Sequence, residues 1–357
     1  MGETGGKDER VLICCAEFHT YHKIFAGAFE RQGYRCELFD ERACADATSK
    51  ALTRLKLRQR LPWAMRTYRA KLVRRVQEFG PDMILVITPE MIDARAVQLL
   101  RAAAPGAKII LYMWEALLRK TAGRALIDKV DAAFSYDPID CATIQSLQFL
   151  PLFHTLDEVP SVSEPSEGHD VVFVGSVQFA RLRALAAISK TIAKNGQRSF
   201  FFLYAPTLVH WWIFAAAARV FGFRGIISRR QIAHEEYLRL QGAARCVIDI
   251  QRGTQTGLAL RSFDAIFAGR PLLTTNPLIQ HYDFFGKAPV DLFSPTDEVL
   301  HFPEVRRGVW PDAALHESYS LSNWIAVLTG RRAPEPHFRP PTQDLAAIAD
   351  DPGKSRS

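Results

Sequence analysis

Residues 255–276 read QTGLALRSFDAIFAGRPLLTTN. The stretch has the pattern of a polar, glycine-containing loop, a helix that stops at Gly269, and a short apolar strand. Just upstream, residues 246–250 read CVIDI, a β-rich apolar run. Strand, loop, helix and strand in this order predict one βαβ unit of a parallel sheet.

The loop before this helix is a candidate anion site. We expect the helix to begin at Thr256, because threonine is a good N-cap residue. A helix start presents unpaired N–H groups and a partial positive charge, which suit a phosphate or diphosphate. We therefore expect contacts to such a group from Thr254, Gln255, Thr256 and Gly257, where glycine allows close backbone approach. Simple capping uses the same N–H groups, so the two interpretations are compatible.

Further candidates lie in this helix and after an earlier strand. Arg261 adds a fixed cation one turn inside the helix. Asp264 is a carboxylate that suits a ribose hydroxyl, and a surface carboxylate is the competing interpretation. Gly175 and Ser176 follow an apolar strand, where they either admit a phosphate or form an ordinary turn. The nearby Arg181 and Arg183 are interpreted as surface charges.

Residues 255–276 resemble the donor-nucleotide site of GT-B glycosyltransferases. The shared pattern is a loop, a helix that contains an acidic residue, a small residue followed by Gly-Arg-Pro, and a short strand. It is most similar to the bacterial members of capsule, exopolysaccharide and lipopolysaccharide synthesis. Four further segments carry the resemblance, which spans roughly residues 10–330: FSYDPID at 134–140, FLPLFH at 149–154, VFVGS at 172–176 and YDFF at 282–285. Within the first of these, Asp137 and Asp140 are interpreted as turn and cap residues.

The resemblance implies a nucleotide diphosphate-sugar donor on the second domain and an acceptor on the first. Retaining members carry Glu eight residues before the ribose-binding acid, and that position here is Thr256. An inverting transfer needs a general base in the first domain. His19 is the preferred candidate and Glu90 is the second. The alternative for both is that they are polar loop residues without a catalytic role. Trp114 is interpreted either as a sugar-stacking residue or as core.

The 357 residues predict two domains. Alternating apolar runs and helical patterns predict an α/β fold that is GT-B-like, with two Rossmann-like, doubly wound parallel-sheet domains facing a central cleft. The expected bounds are residues 1–154 and 170–330, joined by a Pro/Ser-rich linker at 155–169. Residues 331–357 are expected to be a disordered tail.

Six cysteines without Cys-x-x-Cys spacing predict buried thiols in a reducing cytoplasm and no structural zinc site. We expect no signal peptide, because the first ten residues are polar, and no membrane span, because no apolar run is long enough to cross a bilayer. We expect no metal and no cofactor beyond the donor, because Arg261 and the helix start can neutralise a leaving diphosphate.

Two segments are candidates for a membrane surface. Residues 50–75 contain ten Lys and Arg and no acid, interleaved with apolar side chains that include Trp63 and Tyr68. Two interpretations of this segment remain open: it adsorbs to an anionic membrane, or it forms a pair of helices that packs on the domain. Binding of nucleic acid is disfavoured. Residues 211–223 form an aromatic-rich helix, for which we favour a buried core position.

The leading hypothesis is a cytoplasmic glycosyltransferase, peripheral at the inner face of the plasma membrane if the basic segment adsorbs. Its acceptor is a glycan or a lipid-linked glycan of bacterial surface polysaccharide synthesis. One alternative is a non-catalytic nucleotide- or glycan-binding protein of the same fold. Another is a protein that acts through its basic face at a membrane. Sugar, nucleotide base and oligomeric state are not specified by the sequence.

Overall fold

The structure is a computed structural model that describes residues 9–16, 21–41, 62–117, 121–156, 168–251, 253, 255–304, 310 and 312–340. The described residues fall into two compact units. The first lies within Met1–Pro151 and Ile325–Glu335, and the second within Leu152–Trp324 and Pro336–Pro341. The chain therefore returns to the first unit at Ile325 and contributes once more to the second from Pro336.

The first unit is built on a six-stranded parallel sheet with the order β2-β1-β3-β4-β5-β6. Its strands are β1 (Arg10–Cys15), β2 (Arg35–Asp40), β3 (Met83–Ile87), β4 (Lys108–Met113), β5 (Ala132–Ser135) and β6 (Gln148–Phe149). Its helices are α1 (Tyr21–Arg31), α2 (Pro62–Phe79), α3 (Ala94–Ala103), α4 (Thr121–Arg124) and α5 (Pro138–Thr143). All five residues of β3 are buried, as expected for a parallel strand covered on both faces.

The second unit contains another six-stranded parallel sheet, with the order β12-β11-β10-β7-β8-β9. Its strands are β7 (Val171–Ser176), β8 (Ser199–Tyr204), β9 (Ile226–Ser228), β10 (Cys246–Asp249), β11 (Leu272–Thr274) and β12 (Val290–Leu292). The remaining helices are α6 (Phe179–Lys194), α7 (Leu208–Phe221), α8 (His234–Ala243), α9 (Leu260–Phe267), α10 (Ala313–Ser318) and α11 (Leu321–Leu328). The predicted α/β class with two parallel sheets is confirmed.

Helix α2 covers the whole described part of the basic segment, residues 62–75. Its buried residues are Ala64, Met65, Tyr68, Leu72, Val76 and Phe79, which share one face at helical spacing. Tyr68 and Leu72 belong to the main apolar cluster of the first unit. Within residues 62–75 the apolar face therefore packs on the domain, and Tyr68 does not reach a membrane. Residues 50–61 lie outside the described part of the chain.

The C-terminal residues 331–340 make defined contacts, which corrects the expected tail boundary. The guanidinium of Arg331 lies 4.3 Å from the ring centroid of Tyr34. His337 Nδ1 lies 3.0 Å from a carboxylate oxygen of Asp283. Residues 341–357 lie outside the described part. No described helix is long and apolar enough to cross a bilayer.

Candidate functional site

The sheet of the second unit changes direction between β7 and β10. From β7 the chain adds β8 and β9 on one side, and it then returns to add β10, β11 and β12 on the other. Open α/β sheets bind ligands at such a switch point, outside the carboxyl ends of the strands. Here those ends carry Gly175, Ser176 and Asp249.

Arg261 and Asp249 form a mostly buried ion pair at this edge, with Nη1 2.6 Å from Oδ1. The hydroxyl of Thr274, at the end of β11, donates to the other carboxylate oxygen at 3.3 Å. The guanidinium also lies 4.7 Å from the ring centroid of Phe173. Because Arg261 is the second residue of α9, it reaches the strand ends directly, whereas the sequence had predicted a position one turn inside the helix.

Gly175 makes room for this guanidinium. A Cβ atom added to Gly175 would lie 3.0 Å from Nη2 of Arg261 and equally close to the ring of Phe173. Gly175 and Arg261, which the sequence predicted as site residues independently of each other, are therefore adjacent. The close approach at Gly175 is to a cationic side chain of the same unit.

Arg181 was predicted to be a surface charge, and that prediction is wrong because the side chain is buried. Its Nη1 donates to the carbonyl of Ser176 at 2.9 Å, and its Nη2 donates to the carbonyl of Ile250 at 3.2 Å. Arg181 therefore joins the loops that follow β7 and β10. Its guanidinium lies 5.3 Å from the Phe173 centroid. Buried positions of α6 recur at helical spacing from residue 181, and that period was the missed signal.

Helix α9 begins at Leu260, so the predicted start at Thr256 is wrong. Its N-cap is Ala259, which makes no side-chain cap bond. The preceding residues are held as a loop, because Gln251 Nε2 donates to the carbonyl of Gln255 at 2.7 Å and Asn276 Nδ2 donates to that of Thr256 at 2.9 Å. Gly257 is buried in this loop. Thr254 lies outside the described residues.

Asp264 is enclosed in the second unit, which contradicts its predicted place beside a ribose. Its Oδ1 accepts from the backbone N–H and the hydroxyl of Thr155 at 3.1 and 3.2 Å, and its Oδ2 accepts from the Tyr237 hydroxyl at 3.2 Å. Burial raises the pKa of Asp264 to about 7, although these hydrogen bonds oppose the shift. His234 Nε2 lies 3.2 Å from the Thr155 hydroxyl, and burial lowers the pKa of this imidazole.

The first unit has its own switch point, between β1 and β3. There the loop after β3 closes on the buried carboxylate of Glu41, whose Oε2 accepts from the N–H groups of Glu90, Met91 and Ile92 at 2.8, 2.7 and 3.3 Å. Burial raises the pKa of Glu41 to about 7; the three N–H bonds lower it, and the charge of Glu90 raises it further. Glu41 was not among the predicted site residues, although it directly follows the strand β2.

Glu90, the second candidate base, is positioned through this loop. The loop opens with Thr88 in the left-handed region at φ 47°, a strained conformation for a β-branched residue. The Thr88 hydroxyl accepts from the N–H of Trp114 at 2.7 Å. The rings of Tyr21 and Phe25 lie 5.8 and 5.3 Å from that of Trp114, between centroids. His19, the preferred base, lies outside the described residues.

Asp140 is a further carboxyl group with a displaced pKa in the first unit. It accepts from the N–H of Leu117 at 2.7 Å, and burial, followed by the charge of Asp137, raises its pKa to about 7. Asp137 is the N-cap of α5, as predicted. The described residues contain no group of three or more His, Cys, Asp or Glu side chains arranged to hold a metal ion.

Comparisons with known proteins identify the fold. No family model and no curated protein sequence matches the chain. Among solved structures, it is similar to a trehalose-phosphate synthase (UDP-forming) from Burkholderia xenovorans in complex with glucose-6-phosphate, at TM-score 0.62 and 10% identity over 90% of this chain and 99% of the other. A second similar structure is the apo lipopolysaccharide outer core galactosyltransferase WaaB, at TM-score 0.52 and 13% identity over 90% and 99%.

A third similar structure is HepE from Anabaena in complex with UDP and glucose, at TM-score 0.50 and 13% identity over 96% of this chain and 97% of the other. At these identities the comparisons establish the fold. The chain has an α/β, GT-B-like fold, as the resemblance in the sequence predicted.

Proposed function

We propose that the protein is a glycosyltransferase that uses a nucleotide diphosphate-sugar, with the diphosphate at the carboxyl edge of β7 and β10. The observation that carries the proposal is the presence of two guanidinium groups at this switch point. Arg261 is mostly buried and pairs with Asp249. Arg181 is buried and donates to the carbonyl groups of Ser176 and Ile250. A diphosphate group suits guanidinium groups at this position, because its oxygens accept charge-assisted hydrogen bonds. Among proteins of similar fold, one is UDP-forming and another binds UDP and glucose.

The proposed transfer inverts the anomeric centre, since Thr256 stands where a retaining enzyme of this fold carries Glu. A base in the first unit, His19 or Glu90, accepts the proton of the acceptor hydroxyl. The hydroxyl oxygen then forms a bond to the anomeric carbon as the bond to the diphosphate oxygen breaks. The leaving diphosphate retains that electron pair, and Arg261 and Arg181 stabilise its charge without a required metal.

The proposed acceptor is a glycan or a lipid-linked glycan of bacterial surface polysaccharide synthesis, and the proposed location is the cytoplasm or the inner face of its membrane. The lipopolysaccharide galactosyltransferase among the similar structures supports this context.

One observation favours a second candidate, a non-catalytic nucleotide-binding protein. Asp264 is buried and both of its oxygens accept hydrogen bonds from the protein, so it offers no carboxylate to a ribose. Such a protein would bind nucleoside diphosphates and transfer nothing.

Thermal unfolding in the presence of UDP, GDP, CDP, ADP and dTDP tests the proposal. We expect one of them to raise the melting temperature, and Arg261→Ala to weaken its binding roughly 10- to 100-fold, as for loss of a charge-assisted hydrogen bond. Arg239→Ala, an exposed arginine on α8, is the matched control and should bind normally. Absence of stabilisation by every nucleotide contradicts both candidates. Donor hydrolysis or transfer then distinguishes enzyme from binder.

A further inference from the structure

Helix α7 presents apolar side chains to solvent along its outer face. The inner face is anchored by the buried ring of Phe214, with Ala217, Ala218 and Phe221 packed against the same core. On the other side, Trp212 is 63% exposed and Val220 81% exposed, and Val209 and Ile213 are also exposed. The predicted burial of this helix is therefore confirmed for its inner face and wrong for its outer face.

These exposed residues form one continuous surface. Trp212, Ala216 and Val220 follow one another at intervals of four residues, and Val209 and Ile213 repeat the interval alongside. Side chains four apart are neighbours on a helix. We call this surface, residues 209, 212, 213, 216 and 220, the outer face of α7. A continuous set of exposed apolar side chains favours a site of interaction.

The segment of chain that contains the outer face of α7 carries formal charge of one sign up to Glu235. Residues 171–234, from β7 to the start of α8, contain nine Lys and Arg and no Asp or Glu. Arg219 lies seven residues, or two helical turns, after Trp212 and so shares its face. Arg224, Arg229 and Arg230 are exposed beyond the helix end. None of these four arginines forms an ion pair with any residue that the structure describes.

We propose that the outer face of α7 docks the protein on the surface of an anionic lipid bilayer. The helix would lie along the interface, with Trp212 and Val220 at the headgroup–acyl boundary and the arginines at lipid phosphates. A tryptophan bordered by cations suits this interface, because its ring is amphipathic and each arginine gains from the negative surface potential. Charge complementarity selects this occupant over a protein with a mixed-charge surface. The proposal does not depend on glycosyl transfer.

Helix α2 provides the contrast within the same chain. It is also basic, but its apolar face is buried in the first unit. Its one large exposed apolar side chain within residues 62–79 is Trp63, at 60% exposure. Trp63 and Trp212 are therefore a matched pair, equally accessible and on differently built helices.

Tryptophan fluorescence on vesicles tests the proposal directly. With phosphatidylglycerol-containing vesicles, and not with phosphatidylcholine alone, we expect a blue shift that is lost in Trp212→Phe and kept in Trp63→Phe. A shift lost in Trp63→Phe instead would overturn the assignment to α7.

Vesicle cosedimentation measures the affinity. Trp212→Ser/Val220→Ser should weaken binding to anionic vesicles at least about tenfold, while Val299→Ser, at a 51% exposed valine elsewhere in the second unit, should have little effect. Arg219→Gln/Arg224→Gln should cost roughly fivefold per arginine, and Arg66→Gln/Lys71→Gln on α2 much less. Equal losses in the α2 and α7 variants contradict the proposal. So does concentration-dependent self-association that depends on Trp212 without vesicle binding, since it would assign the face to a second copy.

Discussion

In the first unit the loop beyond β3 closes on the buried carboxylate of Glu41, whereas in the second unit the matching sheet edge holds the guanidinium groups of Arg181 and Arg261. Both edges are produced by the same topology, in which the first strand of each sheet has neighbours added on both sides. Topology thus determines where a ligand edge lies, and a few buried charges determine its chemistry. In the proposed function, the first edge contributes the proton acceptor and the second binds the anion.

The largest effect is expected from breaking the ion pair of the second edge. Asp249→Asn leaves the Arg261 guanidinium buried without its counter-charge, which should lower the free energy of unfolding by about 3–5 kcal/mol. Chemical denaturation measures the loss. Asp249→Asn/Arg261→Gln should recover much of it, because no uncompensated charge remains. If Asp249→Asn alone were as stable as the native chain, the ion pair would make no contribution to the stability of this edge.

The buried carboxyl group of the first edge should make the folding stability depend on pH. Because the pKa of Glu41 is raised to about 7 in the folded chain from the usual 4.5, the folded state binds the proton more tightly than the unfolded state. Stability from this group is therefore present below about pH 4.5 and is lost as pH rises towards 7, by up to roughly 3 kcal/mol.

Glu41→Gln should remove this component, since an amide oxygen still accepts the N–H bonds of residues 90–92 without titrating. Denaturation curves from pH 4 to 8 measure the difference in slope. Glu30→Gln, at an exposed glutamate on α1, is the control and should keep the native profile. A Glu41→Gln profile that parallels the native one contradicts a raised pKa.

The smallest effect is expected from steric crowding beside Arg261. Gly175→Ala places a Cβ atom 3.0 Å from the guanidinium and from the Phe173 ring, and overpacking of this kind should cost about 1–3 kcal/mol. It should also weaken nucleoside diphosphate binding. Gly253→Ala is the matched control, because a Cβ there meets no atom within 4 Å. Equal stability of the two variants would mean that the second edge tolerates displacement of Arg261.

The sequence predicted both sheets because continuous apolar runs such as β3 have few alternatives to a buried parallel strand. It located both edges for the same reason, since polar residues follow directly after those runs. The start of α9 was not predictable from local preference. The N-cap tendency of Thr256 is overridden by hydrogen bonds from Gln251 and Asn276, which are local only in the folded chain.

The two helices α2 and α7 show a different limit. The periodic apolar face of α2 left both burial and membrane contact open, and the structure buries it. Helix α7 is apolar all round, a pattern that indicates a core helix, yet it lies at the outside of its sheet with only one face covered. The order of strands in the sheet determines which face of an apolar helix is covered. This order cannot be predicted from the sequence of the helix.

Three carboxyl groups described above, Glu41, Asp140 and Asp264, have pKa values raised to about 7 by burial. Their ionisation therefore changes near neutral pH. If all three take up a proton, the formal net charge of +7 becomes +10. Mild acidification thus makes the folded chain a stronger polycation, and its long-range attraction to any polyanion grows as the buffer becomes more acidic.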